Sequence, residues 1–174
     1  NVWEQEHADK DDRWLADALG TAFHETQFTM QPIREFGGNA YFFRMYDPGS
    51  LVPRRAAMAR AMGAQPGDGV VFYGRGYVQL TWRANYAKMG ELFGVDLTSS
   101  AAAADQVLQA ELAAKIMFKG MEEGSFTAKR FCDYFSPTTE NWKNARRIIN
   151  GNDCDEVIAV YAKKFYAAIC YTTG

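Results

Sequence analysis

The chain has 174 residues, 48% of them hydrophobic and 23% charged, with a formal net charge of -2. That length suits one domain with a real core. The small negative charge argues against general binding to nucleic acid or anionic membranes, leaving room only for a local basic patch. No apolar run reaches the ~18 residues of a membrane span, and no signal peptide is visible. The first residue is Asn1 rather than Met, which leaves room for a preceding segment carrying an export signal or a second module. Cys132, Cys154 and Cys170 are odd in number and fit no zinc or redox spacing. Three reduced, mostly buried thiols are expected.

Residues 1–9 are polar and read as a short lead-in. A first helix is predicted from Lys10 to Phe28, with Leu15, Leu19, Phe23 and Thr26 recurring at helical spacing as its core stripe. Glu25 falls off that stripe, beside Ala18, Thr21 and Ala22, small neighbours that let a carboxylate line a cleft. Pro32 stops the helix. Glu35 then lies on irregular chain before Gly37-Gly38, within a long loop over residues 31–52. One acid on a rigid helix and another on the loop after it can stand across a groove. Glycosidic hydrolysis needs that arrangement: one carboxyl protonates the leaving oxygen, and the other activates water or attacks carbon. From spacing alone, two solvated surface charges are the plainer reading.

Pro53 suits the first position of a short helix ending at Met62, closed by Gly63. Residues 65–69 are turn chemistry. Val70–Tyr73 and Tyr77–Thr81 are predicted as the strands of a small hairpin around Gly74-Arg75-Gly76. That turn lacks the third glycine and βαβ frame of a dinucleotide site, and the Gly-Lys-Ser/Thr of a phosphate loop. Gln79 and Thr81 alternate with Val78 and Leu80, so an amide and a hydroxyl share one strand face. The pair suits a polar substrate or a catalytic water.

Further helices are predicted over Trp82–Phe93, stopped by Gly94, and over Ala101–Glu123, capped by Ser99 or Ser100. Val107, Leu108, Leu112, Ile116 and Met117 give the second its buried face. Thr127–Phe135 and Asn141–Ile149 follow. The last helix starts from Asp153 or Asp155 and runs to Ile169, with Val157, Val160, Tyr161, Lys164, Phe165 and Ala168 inward. His24 lies on another face from Glu25 and reads as structural. With His7 it makes no metal site.

These pieces together carry a resemblance. Ala22-Phe23-His24-Glu25-Thr26, the later Glu35, Tyr73-Gly74-Arg75-Gly76-Tyr77-Val78-Gln79-Leu80-Thr81 with Asn85-Tyr86, and Ile148-Ile149-Asn150-Gly151 occur in that order. They resemble glycoside hydrolase family 19, which holds chitinases and the related cell-wall lysozymes of phages. The resemblance implies a mainly α, lysozyme-like α+β fold with a small β-hairpin beside the catalytic cleft, as one catalytic domain over residues 1–174. It implies Glu25 as general acid, protonated near neutral pH, and Glu35 as ionised general base. Thr81 would help hold the attacking water, Gln79 and Asn85 would contact sugar, and Asn150 would line the cleft. Tyr73 and Arg75 would have a structural or subsite role.

The implied reaction is inverting hydrolysis of β-1,4 linkages in peptidoglycan, of lysozyme or endolysin type. Chitin or chito-oligosaccharides are the alternative substrate. A silent wall-glycan-binding module is the reading from another class, and retention of both Glu25 and Glu35 argues against it. No metal, cofactor, nucleic acid or membrane partner is implied. The expected protein is a monomer made in the cytoplasm that acts on the cell wall or periplasm. Two departures stand out. The place of the family's arginine after Asn-Gly is taken by Val157, and its acidic partner has only Asp153 or Asp155 as stand-ins.

Overall fold

The computed structural model describes residues 1–172. In chain order the elements are α1 (Val2–Glu6), α2 (Asp12–Glu25), β1 (Ile33–Arg34), α3 (Asn39–Tyr46), α4 (Pro53–Ala61), β2 (Arg75–Gly76), α5 (Arg83–Phe93), α6 (Ala101–Ala104), α7 (Ala110–Glu123), β3 (Phe135–Ser136), β4 (Thr139–Glu140), α8 (Trp142–Ala145) and α9 (Asp155–Thr172). The fold is mainly helical with a small antiparallel element, as the sequence led one to expect, but there are two such ladders and they pair other residues than the expected hairpin. The chain divides into two compact units, residues 1–31 with 113–174, and residues 32–112.

The first unit is built on α2 lying along α9. The expected stripe of Leu15, Leu19 and Phe23 is only half-buried; Ala16, Asp17, Ala18, Gly20, Thr21, Ala22 and Thr26 are the buried residues. Close approach is the reason. A Cβ on Gly20 would stand 2.7 Å from the backbone nitrogen of Ala162, so only small side chains fit between the two helices. The same contact turns α9. Ile158, Ala159 and Ala162 are buried, whereas the expected inward residues Val157 and Val160 are 46% and 51% exposed.

Residues 1–9 are more than a lead-in. Asn1 and Glu4 form a capping box on α1, and Trp3 and His7 pack on Phe118. The helix predicted at Thr127–Phe135 is instead a 3-10 turn, Phe131–Asp133, followed by the β3–β4 hairpin with Phe135 opposite Glu140. Pro137 sits between the paired residues Ser136 and Thr139, where its fixed φ favours a turn. All three cysteines are free and exposed rather than buried.

In the second unit, residues 31–52 are not a plain loop, since α3 occupies their middle. Asp47, 1% exposed, accepts from the backbone N–H groups of Gly49, Gly67 and Gly69 and ties α3 to the turn before β2. Trp82, Ala59 and Ala64 form a core with Tyr46 and Met62 against it. Ser100 caps α6 by accepting from the N–H of Ala103. The long helix expected from Ala101 breaks at Gln109, whose backbone is extended, and α7 begins only at Ala110.

Candidate active site

The expected 70–81 hairpin is reduced to one antiparallel bridge, Arg75 opposite Leu80, with Trp82 N–H donating to Phe72 O. A 3-10 turn covers Asp68–Val70, and Arg75–Gly76 pair instead with Ile33–Arg34. That ladder delivers Glu35 directly after a strand, with its N–H donating to Gly74 O at 2.8 Å. Its carboxylate accepts from Tyr46 OH (2.8 Å to each oxygen), Tyr41 OH (3.1 Å) and Gly74 N–H (3.1 Å). Both tyrosines sit on α3, the helix absent from the sequence reading, so neither was foreseen. Burial and the Glu35 carboxylate push both hydroxyls up from their ordinary pKa, which keeps them as donors. A Cβ on Gly74 would meet Gln79 Oε1 at 2.8 Å and Glu35 Oε2 at 3.1 Å, so a larger residue there would push both side chains from their places.

Residues 79–82 are irregular, and the alternation expected of a strand is lost. Gln79 has φ +52° and Trp82 φ +76°, conformations that L side chains rarely adopt. Gln79 Nε2 donates to Ile33 O and Gly76 O. Thr81 Oγ1 donates to Gln79 O at 2.9 Å, so its proton is committed and the oxygen can take a further hydrogen bond only as an acceptor. Asn85 Nδ2 donates to Thr81 O at 2.8 Å. The structure therefore brings Glu35, Gln79, Thr81 and Asn85 into one linked group.

Arg75 is 1% exposed and engaged through Nε and Nη1. It bonds Asp105, Val71 O, Tyr73 O and Tyr86 OH, and its guanidinium lies 3.8 Å from the Tyr73 ring. Tyr73 in turn stacks on Phe42 at 3.8 Å. Of the two roles expected for Arg75, strut or sugar contact, its burial leaves the strut. The half-buried Tyr73 belongs to the same scaffold.

Glu25 belongs to the first unit, at the end of α2. Arg146 Nη1 lies 2.6 Å from its Oε1 as an ion pair, although the N–H is not aimed along a hydrogen bond. Arg146 precedes Asn150-Gly151, and Val157, where the sequence placed the missing arginine, faces outward. Arg146 Nε donates to Asp153 O, so Asp153 serves through its backbone. Asp17, two turns before Glu25 on the same helix face, is 1% exposed and neither carboxylate oxygen has a hydrogen-bond donor. Burial pushes its pKa up to about 8, against the opposing pull of Arg146. Nothing in the sequence marked Asp17 except its spacing from Glu25. His24 is half-buried with Nδ1 unpartnered.

Asn150 is exposed in a cleft of about 610 Å³, lined also by Thr127, Lys129, Arg147, Gly151 and Asn152. Among the described residues, no group of three or more His, Cys, Asp or Glu is placed to hold a metal ion. No described helix is long and apolar enough to cross a membrane.

No family model matches the chain. Over 90 residues it is 30% identical to endochitinase A2 of Pisum sativum, a match covering 51% of this chain and 26% of that protein. The chain thus spans about a quarter of the length of that relative. Its fold is similar to chitinase C from Streptomyces griseus HUT6037, with a TM-score of 0.53 and 20% identity over 90% of this chain and 60% of that one.

Proposed function

We infer, from the chitinase/lysozyme-like kinship with glycoside hydrolase family 19 that these two matches indicate, that the chain is a glycosidase acting on chitin-like, N-acetylated glycans. Its substrate in this reading is bacterial peptidoglycan, cut at β-1,4 linkages with inversion, by a monomer working at the cell wall. Glu25 donates a proton to the leaving oxygen, one it must first take up against the Arg146 charge beside it, and Glu35 takes one from the attacking water. Thr81 accepts a hydrogen bond from that water, and Gln79, Asn85 and Asn150 hold sugar. Hydrolysis by this route calls for no metal or cofactor.

The observation that carries the reading is the clamp on Glu35. Two tyrosine hydroxyls and a backbone N–H converge on one carboxylate, linked through Gly74 to the strained Gln79–Trp82 turn. A solvated surface glutamate needs no such arrangement, whereas a base that must meet water in one geometry does. A chitinase with the same chemistry is the second reading, favoured by the names of both relatives.

Release of new reducing ends from purified peptidoglycan, with chito-oligosaccharides in parallel, separates the two substrates. It also separates both from a silent binding module. Glu25→Gln should abolish release and leave binding largely intact. Wall clearance by that variant at the parental rate would remove Glu25 from the mechanism.

A further inference from the structure

We propose that the cleft holding Asn150 receives a carboxylate-bearing appendage of the glycan, with Lys129 and Arg147 as its anion-binding residues, so that it selects acidic, peptide-substituted wall glycan over neutral chitin. This rests on the reading of the chain as a glycan hydrolase. The cleft, a shallow and open concavity of about 610 Å³, is lined by two cations and no carboxylate, on a chain whose net charge is -2.

Several basic side chains of the same unit are neutralised, among them Arg13 by Asp11, Lys119 by Glu123 and Lys143 by Glu156. Lys129 and Arg147 have no acidic partner within ion-pair distance among the described residues, and unlike Arg130, Lys163 and Lys164, which share that property, they line the cleft together. Arg147 is nonetheless held in place. Its Nε donates to Asn152 Oδ1 at 2.9 Å, and Thr127 Oγ1 donates to its carbonyl at 2.5 Å. Its two terminal nitrogens remain as a planar fork suited to a carboxylate. Asn150 Oδ1 is occupied by the N–H of Gly151, so the side chain presents its Nδ2 donor to a ligand. A polymer of N-acetylglucosamine carries no charge for Lys129 and Arg147 to meet. A lactyl ether or a short peptide ending in a carboxylate does.

The test is a titration of the whole isotope-labelled protein, followed by amide shifts, with N-acetylmuramyl-L-alanyl-D-isoglutamine as the anionic probe and chitobiose as the neutral one. The anionic probe should shift residues 127–129 and 147–152, bind more tightly than chitobiose, and weaken with added salt. Reversing both charges, Lys129→Glu with Arg147→Glu, should weaken it by about tenfold or more, the scale for two exposed pairs. Lys129→Glu alone, which leaves the Arg147–Asn152 bond intact, should show a smaller loss in the same direction. Equal binding of the two probes, or affinity unmoved by charge reversal, overturns the proposal. Because the readout is binding, wall hydrolysis that depends on Glu25 alongside a charge-blind cleft would sink this inference and leave the hydrolase reading standing. A charge-selective cleft on a protein that hydrolyses neither glycan would do the reverse.

Discussion

Arg146 Nη1 stands 2.6 Å from Glu25 Oε1, with the arginine side chain 3% exposed and the glutamate 17%. A cation so buried is tolerable only with a counter-charge. Arg146→Ala would strip Glu25 of it and remove the bond to Asp153 O. Loss of stability should be about 3 kcal/mol, the low end for breaking a buried pair because Glu25 keeps some access to water. Denaturant unfolding measures it; parental stability would mean the pair is solvated. Arg146→Lys should restore part of the stability, since one charge returns without the planar fork.

Removing a hydroxyl from the Glu35 clamp tests the base. Tyr46→Phe deletes the donor shared by both carboxylate oxygens, and turnover should fall about 10-fold to 100-fold, the scale of one positioned hydrogen bond. Tyr41→Phe, removing a longer bond of 3.1 Å, should cost less. KM should move little in either. Separate kcat and KM values for wall glycan decide it, and an unchanged kcat in Tyr46→Phe would leave the clamp without a catalytic role.

Thr81→Val should reduce turnover by about 10-fold to 1000-fold with the fold retained. Because Thr81 Oγ1 also bonds Gln79 O, part of that loss is local distortion. Thr81→Ser keeps both the bond and the acceptor lone pairs and should retain most of the activity. Turnover in the valine variant equal to that of the parent would take Thr81 out of the mechanism.

Asp17 should make stability fall with pH. Its folded carboxyl, pushed up to about 8, holds a proton through a range where the unfolded chain has released it. The folded state therefore binds more protons from pH ~4 upward, and stability drops until the folded group itself ionises near 8. Below the ordinary carboxyl range the effect is absent. Asp17→Asn should flatten this slope and raise Tm at pH 9 by a few degrees, about 2–4 °C for each kcal/mol recovered. The same slope in both proteins would show that Asp17 is already ionised against Arg146.

Gly20→Ala should destabilise by about 1–3 kcal/mol, as overpacking does, because the new Cβ meets backbone rather than a movable side chain. Phe23→Ala, at a half-buried site, should cost less than the 3–5 kcal/mol typical of a buried phenylalanine. Thermal unfolding of the two variants provides the comparison, and a larger loss at Phe23 than at Gly20 would contradict the packing described.

Where local chemistry dictates structure, the sequence was legible. Pro53 opened α4, Ser100 capped α6, and Gly94 ended α5 in a left-handed conformation. Where distant contacts decide, it was not. Periodicity pointed to Leu19 and Phe23 for the core of α2, but the partner at Gly20 is Ala162, far along the chain, and close approach favours the small face. Tyr41 and Tyr46 were invisible as Glu35 partners because α3, with its mixed aromatic pattern after two glycines, read as loop. Arg146 was overlooked because motif spacing looked for an arginine after Asn150-Gly151, whereas the one facing Glu25 comes before it.

Gly20 and Ala162 stand roughly 140 residues apart in the chain, and this bears on how the protein comes into being. Residues 32–112 are contiguous and can condense as they are made, but α2 meets α9 only after everything between has been synthesised. At 5–20 residues per second that delay is on the order of ten seconds. Throughout it the helix bearing Glu25 lacks its principal packing partner and is an isolated amphipathic segment of marginal stability. The nascent chain thus acquires a settled Glu25 only once α9 has been translated.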